Sequence, residues 1–248
     1  MTEPIKEETK YFQVQSVDNF FSKPEEVIKF ANSLEYKKGP NGFWPGKRSE
    51  ELHINHNQFF NSFLTKLFAL FFDYNHTKVS WSEVGMYFQK TRAFDPKDKN
   101  NILNTGLIHQ DGDYPIVGLV YLTTGADVDS GTSIMIPNNK YKYREDLAEK
   151  KVVLYKKSQN ELTEKDLEDY KKLIIDTNKN FDESVRFNNI FNRLITYTGK
   201  DFHKCNSFYS GKEERLTLVF FVKKIQTNAY PPIQRSEANL IKFTSDVK

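Results

Sequence analysis

One cysteine, Cys205, stands in the 248 residues, so the chain can hold no internal disulfide framework. An excess of one charge is missing too: 36 Lys and Arg against 33 Asp and Glu leave a net +3, which neither implies nor excludes a nucleic-acid partner. Long apolar runs are also lacking. The greasiest stretch, FFNSFLTKLFALFF (Phe59–Phe72), is broken by Asn61, Ser62, Thr65 and Lys66 and is too short to cross a bilayer, so a buried helix is expected there and no membrane partner. The opening MTEPIKEETK has no apolar signal core, and a reducing cytoplasm is the expected compartment. Histidine is scarce, five in all, which keeps the candidate metal donors few. What is present in quantity is apolar material, 38% hydrophobic residues with aromatics making up 15% of the chain, enough for a globular core. The length fits one generous domain spanning residues 1–248.

The pattern along the chain is helix first and strand later. Tyr11–Phe21 has strand character, and Ser22-Lys-Pro-Glu25 has the form of a capping box ahead of a helix carrying Val27, Ile28, Ala31 and Leu34 at helical spacing. Lys37–Glu50 is turn-rich through its glycines and prolines, and a second helix is expected over Asn57–Asp73. Strands are expected at Trp81–Phe94, Ile116–Thr124 and Thr132–Pro137, with a solvated loop at Asp95–Asn101 and a turn at Gly125–Gly131. Residues 138–181 turn to Lys, Glu, Asp and Tyr with a helix over Thr163–Asp176, too poor in apolar residues for a core of their own. They form an expected insertion packed over the β core, either a lid or a solvated excursion. Strand regions follow at Arg186–Lys204 and Arg215–Lys224, joined by NSFYSGKEE as a hairpin. This order predicts a mainly β, α+β fold, a sandwich or jelly roll whose open end holds a small ligand between its sheets.

In GLIHQDGDYP, His109 and Asp111 are two residues apart, and in extended chain alternate side chains share a face, so both can reach one ion. A third donor is expected from His203 in GKDFHKCN, late in the β region, where a strand can return beside the first. His53-x-x-His56 lies outside the β core with no Glu general base between and reads as surface; His76 reads as a loop residue. Asp113 shares the parity of Asp111 and competes with it as the carboxylate. Cys205, just past His203, is expected to point away from the metal as a structural thiol. Two histidines and one carboxylate leave three coordination positions open, which suits nonheme Fe(II) binding a cosubstrate and O2 together. A keto-diacid cosubstrate needs a cation and a hydroxyl for its far carboxylate, and Arg215-Leu-Thr217 offers both on one strand face. Gln89, in the aromatic-rich strand Trp81–Phe94, is a further polar candidate for the pocket.

The order His109-x-Asp111, Tyr121-Leu, Gly131-Thr132, His203, Arg215-x-Thr217 resembles the Fe(II)/2-oxoglutarate-dependent dioxygenases of the prolyl-4-hydroxylase-like kind, over roughly Trp81 to Lys224. The resemblance implies a double-stranded β-helix with N-terminal helices packed on the major sheet, a catalytic core of about 81–224 and a charged helical insertion at about 138–181, longer than a minimal core requires. It implies iron on His109, Asp111 and His203, with the distal carboxylate of 2-oxoglutarate on Arg215, helped by Tyr121 and Thr217. It further implies that 2-oxoglutarate and O2 go to succinate and CO2 with hydroxylation of a second substrate, and that ascorbate acts as a stimulant. Because Asp111 fills the third protein position, hydroxylation or oxidative demethylation is favoured over halogenation. The loop FWPGKRS (Phe43–Ser49) resembles a Pro-Gly-x-Arg-Ser stretch in little-characterised relatives and has no assigned role. A peptidyl proline or other amino-acid side chain is the favoured substrate, with free amino acids and modified nucleobases also compatible. Two rival readings keep the fold: a cupin-like metal-dependent isomerase or hydrolase, and a non-catalytic binding module.

Overall fold

A computed structural model describes residues 12–38, 45–141, 162–212 and 214–229. Two antiparallel sheets face each other. The larger has seven strands in the order β1-β8-β5-β10-β4-β3-β2, and the smaller has three in the order β7-β6-β9. The strands are β1 (Gln15–Val17), β2 (Tyr36–Lys38), β3 (Lys47–Ser49), β4 (Val79–Thr91), β5 (Ile116–Tyr121), β6 (Thr132–Pro137), β7 (Phe181–Phe187), β8 (Leu194–Tyr197), β9 (Phe202–Cys205) and β10 (Arg215–Thr227). The helices are α1 (Pro24–Ser33), α2 (Leu52–Asn55), α3 (Asn57–Phe68) and α4 (Glu164–Asn178). This is the expected mainly β jelly roll with flanking helices.

Parity along the strands decides what faces the space between the sheets. In β10, Leu216, Leu218, Phe220 and Val222 pack under the helices together with Val84, Met86 and Phe88 of β4 and Ile116 and Val120 of β5. α3 supplies Phe60, Phe63, Leu64 and Leu67 from one side of its cylinder to the same core. Phe63 alone meets the Phe220 ring at 5.1 Å and the Phe20 ring at 5.5 Å. The opposite parity of the same strands, Val117, Leu119, Tyr121 and Val219, meets Ile134 of β6 and Phe187 of β7 between the two sheets. Both faces of the central strands are thus covered, which is why β10 and β5 read as nearly unbroken apolar runs.

Several expectations shift. α1 begins with Lys23 at its N-cap and Pro24 in its first turn, and no side chain caps it, so the Ser22 capping box does not form. The Tyr11–Phe21 strand shortens to Gln15–Val17. The strands on either side of NSFYSGKEE do not pair as a hairpin: β9 belongs to the small sheet and β10 to the large one. The turn chemistry at Ser210-Gly211 is genuine, with Gly211 at φ +72°, but a turn does not dictate that its flanks pair. The predicted helix of the insertion is α4, capped by Thr163, whose hydroxyl accepts from Asp166 N–H while the Asp166 carboxylate accepts from Thr163 N–H. Its Tyr170, Leu173 and Ile174 bury against Leu103 and Leu107, bracing the chain just ahead of His109. Residues 142–161 of the insertion lie outside the described residues. No helix among the described residues is long and apolar enough to cross a membrane.

Candidate metal centre and its two cavities

Register across the large sheet lines up four polar side chains on its inner face. Arg48 of β3 is the partner of Gln89 of β4, Gln89 of Thr217 of β10, and Thr217 of Tyr121 of β5. Across from this row, the segment carrying His109 joins the edge of β9 through a narrow pair: His109 N–H donates to His203 carbonyl at 3.0 Å and His203 N–H to His109 carbonyl at 2.9 Å. Asp111 N–H donates to Gly199 carbonyl at 2.9 Å, which fixes the ligand two residues on.

His109, Asp111 and His203 therefore converge, with one ligand atom from each lying within 4.8 Å of the others. His203 Nε2 is 3.3 Å from Asp111 Oδ2, and His109 Nε2 is 3.7 Å from Asp111 Oδ1. Each imidazole is oriented by its other nitrogen: His109 Nδ1 lies 2.8 Å from Leu107 carbonyl and His203 Nδ1 2.9 Å from Asp201 carbonyl. A carbonyl only accepts, so both rings carry hydrogen on Nδ1 and turn the Nε2 lone pair inward, the tautomer a metal needs. The Tyr197 ring packs at a tilt against the His203 ring, centroids 4.6 Å apart. Two imidazoles and a carboxylate on one side suit a divalent transition ion with open positions. Asp113 stands apart, exposed and paired with Lys200 at 2.8 Å. His56 pairs with Glu50 and His53 with Glu51, and neither belongs to this group.

Behind the ligands lies an inner cavity of about 140 Å³ lined by His109, Asp111, His203, Thr132, Arg215 and Thr217. It is smaller than a pocket for a drug-sized ligand and matches a small diacid. Arg215 is 5% exposed. Its Nη1 donates to Ser130 carbonyl at 2.6 Å, Cys205 Sγ at 2.9 Å and Ser207 carbonyl at 3.4 Å, while Nε is buried with no hydrogen-bond partner. A buried cationic donor left open costs about 1–3 kcal/mol, a cost that an incoming carboxylate offsets. Thr217 is buried beside it. Tyr121 is wholly buried and donates to Thr132 Oγ1 at 2.9 Å, so its hydroxyl meets the cavity wall through Thr132. Burial also pushes the Tyr121 phenol up, against the hydrogen bond to Thr132.

Gln89 lines the same cavity, but its amide is engaged within the protein: Oε1 accepts from Arg48 Nε at 2.8 Å, and Nε2 donates to Pro45 carbonyl at 3.1 Å. Arg48 lies with its guanidinium 5.2 Å from the Tyr87 ring and 5.4 Å from the Phe221 ring. Desolvation is the main reason its pKa is pushed down to about 10, partly opposed by Tyr87 and Asp111. An outer cleft of about 860 Å³ adjoins the inner cavity, and Arg48, Asp111 and Phe221 line both.

Residues 2–211 match the model of DUF6445, a family of unknown function. The chain belongs to that family. No curated protein matches it. Solved structures similar to this DUF6445 chain include a prolyl hydroxylase from Trichoplax adhaerens in complex with a hypoxia-inducible-factor peptide fragment, with 10% identity, 84% of this chain and 82% of that chain covered and a TM-score of 0.46. A prolyl-4-hydroxylase from Pseudomonas putida has 9% identity, coverages of 85% and 92%, and a TM-score of 0.45. HygX from Streptomyces hygroscopicus, with nickel, 2-oxoglutarate and hygromycin B bound, has 11% identity, coverages of 84% and 82%, and a TM-score of 0.46. Likeness at that level carries no functional weight, and a function has to be argued from the side chains of the cavity.

In this DUF6445 protein Cys205 departs from expectation. It is two residues from His203, so strand parity puts both on the same face, and its sulfur lines the inner cavity and accepts from Arg215. The part of Arg48 was not read from the sequence. Pairing Arg48 with Gln89, and Gln89 with Thr217, is the signal that finds it, and that register becomes visible only once β3 is known to flank β4.

Proposed function

We propose that this protein is an Fe(II)- and 2-oxoglutarate-dependent oxygenase. The observation that carries the reading is one cavity with two oriented imidazole nitrogens and a carboxylate at one end and a buried arginine with an open Nε at the other. His109, Asp111 and His203 would hold the ion, and Arg215 with Thr217 would hold the far carboxylate of the cosubstrate. Bound there, an iron ion would supply O2 activation coupled to loss of CO2 from 2-oxoglutarate, so that one oxygen atom would enter succinate and the other the substrate C–H, for an overall yield of succinate, CO2 and an alcohol. The protein's own share is positioning. The carbonyls of Leu107 and Asp201 fix the imidazole tautomers, and those of Ser130 and Ser207 fix the guanidinium. Tyr197, Leu119 and Val219 wall the cavity with apolar surface, limiting water. A cupin-like isomerase or hydrolase would have no use for a diacid clamp opposite its metal.

Calorimetric titration of Mn(II), and then of 2-oxoglutarate, into the metal-free protein tests this. Both should bind, 2-oxoglutarate only after the metal, and the Fe(II) form should release succinate from 2-oxoglutarate under air. His109→Ala and His203→Ala should each lose metal binding. A wild-type protein that takes up metal but shows no affinity for 2-oxoglutarate would sink the reading.

A further inference from the structure

Arg48 is not among the groups proposed to hold the ion or the far carboxylate, yet the protein is built to place its guanidinium on the wall of the outer cleft. Pro45 and Gln89 hold it through a relay: Pro45 carbonyl takes the Gln89 amide, and Gln89 Oε1 takes Arg48 Nε. Ser49 Oγ accepts from Phe88 N–H at 3.1 Å, pinning β3 to β4 beside it. Gly46 enters that strand at φ +75°, where an added Cβ would lie 2.0 Å from Lys90 carbonyl, so the approach requires glycine. The loop Pro45–Ser49 thus delivers a rigid cation to the wall shared by the two cavities, beside Asp111.

Farther out along the same wall the opposite charge appears. Tyr87, whose ring lies under Arg48, lines this wall next to Glu51; burial first, and then the Glu51 carboxylate, push the Tyr87 phenol up. Gly85 keeps the wall open there: a Cβ would lie 3.2 Å from the Tyr87 ring and 3.4 Å from Glu51 Oε1. Besides Asp111 at the inner end, the other titratable groups of the cleft are an internal ion pair, Lys223 with Glu83 at 3.1 Å, and His53 at 3.8 Å from Glu51. A cation, an aromatic ring and an anion in sequence along one open wall form a receptor for a molecule bearing a carboxylate and an ammonium close together.

Resting on the oxygenase function, we infer that the outer cleft takes a free amino acid as the substrate, its carboxylate on Arg48 and its ammonium on Glu51, with its side chain directed at the metal ligands. A mid-chain peptide residue has neither charge to offer.

The test uses the full-length protein loaded with Mn(II) and 2-oxoglutarate, titrated calorimetrically with the twenty L-amino acids, their C-terminal amides and their N-acetyl derivatives. At least one free amino acid should bind, with its amide and its N-acetyl form each at least tenfold weaker. R48Q should erase the preference for acid over amide, R48K should keep part of it, and E51Q should erase only the preference for free amine over N-acetyl. If R48Q does not fold, the wild-type and E51Q series still decide. Absence of binding by every amino acid, equal binding of acid and amide, or an acid preference that persists in R48Q overturns the inference. Loss of 2-oxoglutarate binding in R48Q would place Arg48 on the cosubstrate and overturn it too. Because Mn(II) and 2-oxoglutarate binding by the wild-type protein are read beforehand, failure of the oxygenase reading is seen separately.

Discussion

Arg215→Met separates the proposed clamp from the scaffold, because the guanidinium would serve both. Removing it leaves the carbonyls of Ser130 and Ser207 without their cationic donor, at about 1–3 kcal/mol for each carbonyl that water does not reach. The same substitution removes a buried charge and an open Nε, whose cost is of the same order, and puts in an apolar chain of similar length. The two largely cancel, so the net change in stability is within about 2 kcal/mol, a shift in Tm of under about 8 °C for a chain of this size. Affinity has no such offset. The carboxylate of 2-oxoglutarate would lose two charge-assisted hydrogen bonds, each worth about 1.5–3 kcal/mol, so Kd should rise by a factor of at least about 100. Arg215→Lys, with the charge but not the fork, should fall between. Scanning calorimetry reads the first quantity and titration of 2-oxoglutarate into the Mn(II)-loaded protein the second. An Arg215→Met protein that binds 2-oxoglutarate within threefold of the wild type, with Tm preserved, would refute the clamp.

Three other expectations come from particular contacts. Asn192, buried at φ +61°, accepts from Phe21 N–H and donates to Phe21 carbonyl, each at 2.8 Å, while its backbone N–H donates to Tyr121 carbonyl at 2.7 Å. Asn192→Ala should cost about 2–4 kcal/mol by urea unfolding and Asn192→Gly somewhat less, since glycine keeps the backbone and loses only the side-chain bonds. Gly46→Ala should lower Tm by several degrees, with about 1–2 kcal/mol arising from φ alone and more from Lys90 carbonyl, and it should also impair whatever Arg48 binds. The Arg193 guanidinium holds the Asp18 carboxyl below its ordinary value of 3.8, mainly through their hydrogen bond. The ion pair therefore stabilises the fold above that pH and is lost as pH falls through the lower folded-state value. After allowance for an Asp18 side chain that is 51% exposed, wild type should exceed Asp18→Asn by about 0.2–1 kcal/mol at pH 7, and the difference should vanish in strong acid. An equal gap at both pH values would contradict this.

Most of the candidate metal group was legible because its spacing is a local matter: His109 and Asp111 share a face wherever the chain is extended. That His203 returns beside them is a fact of sheet order, and the late position of the residue in the β region was enough to point there. Sheet order also explains the failures. Nothing in NSFYSGKEE says that its flanks part to different sheets, because a turn encodes local dihedrals and not distant partners. Cys205 was within reach of the same local rule, since two residues past His203 on one strand it shares that residue's face. Arg48 is different: its neighbours Gln89, Tyr87 and Phe221 come from strands far along the chain, so no window of sequence contains the site it completes.

The reciprocal backbone bonds between His109 and His203 have a practical corollary. The two imidazoles are tethered to each other by the peptide framework, so their placement rests on backbone pairing and not on an ion alone. If the group holds an ion as proposed, chelators should strip it without unravelling the chain, unlike small zinc-dependent folds that collapse when the metal leaves, and thermal unfolding of the chelated protein checks this.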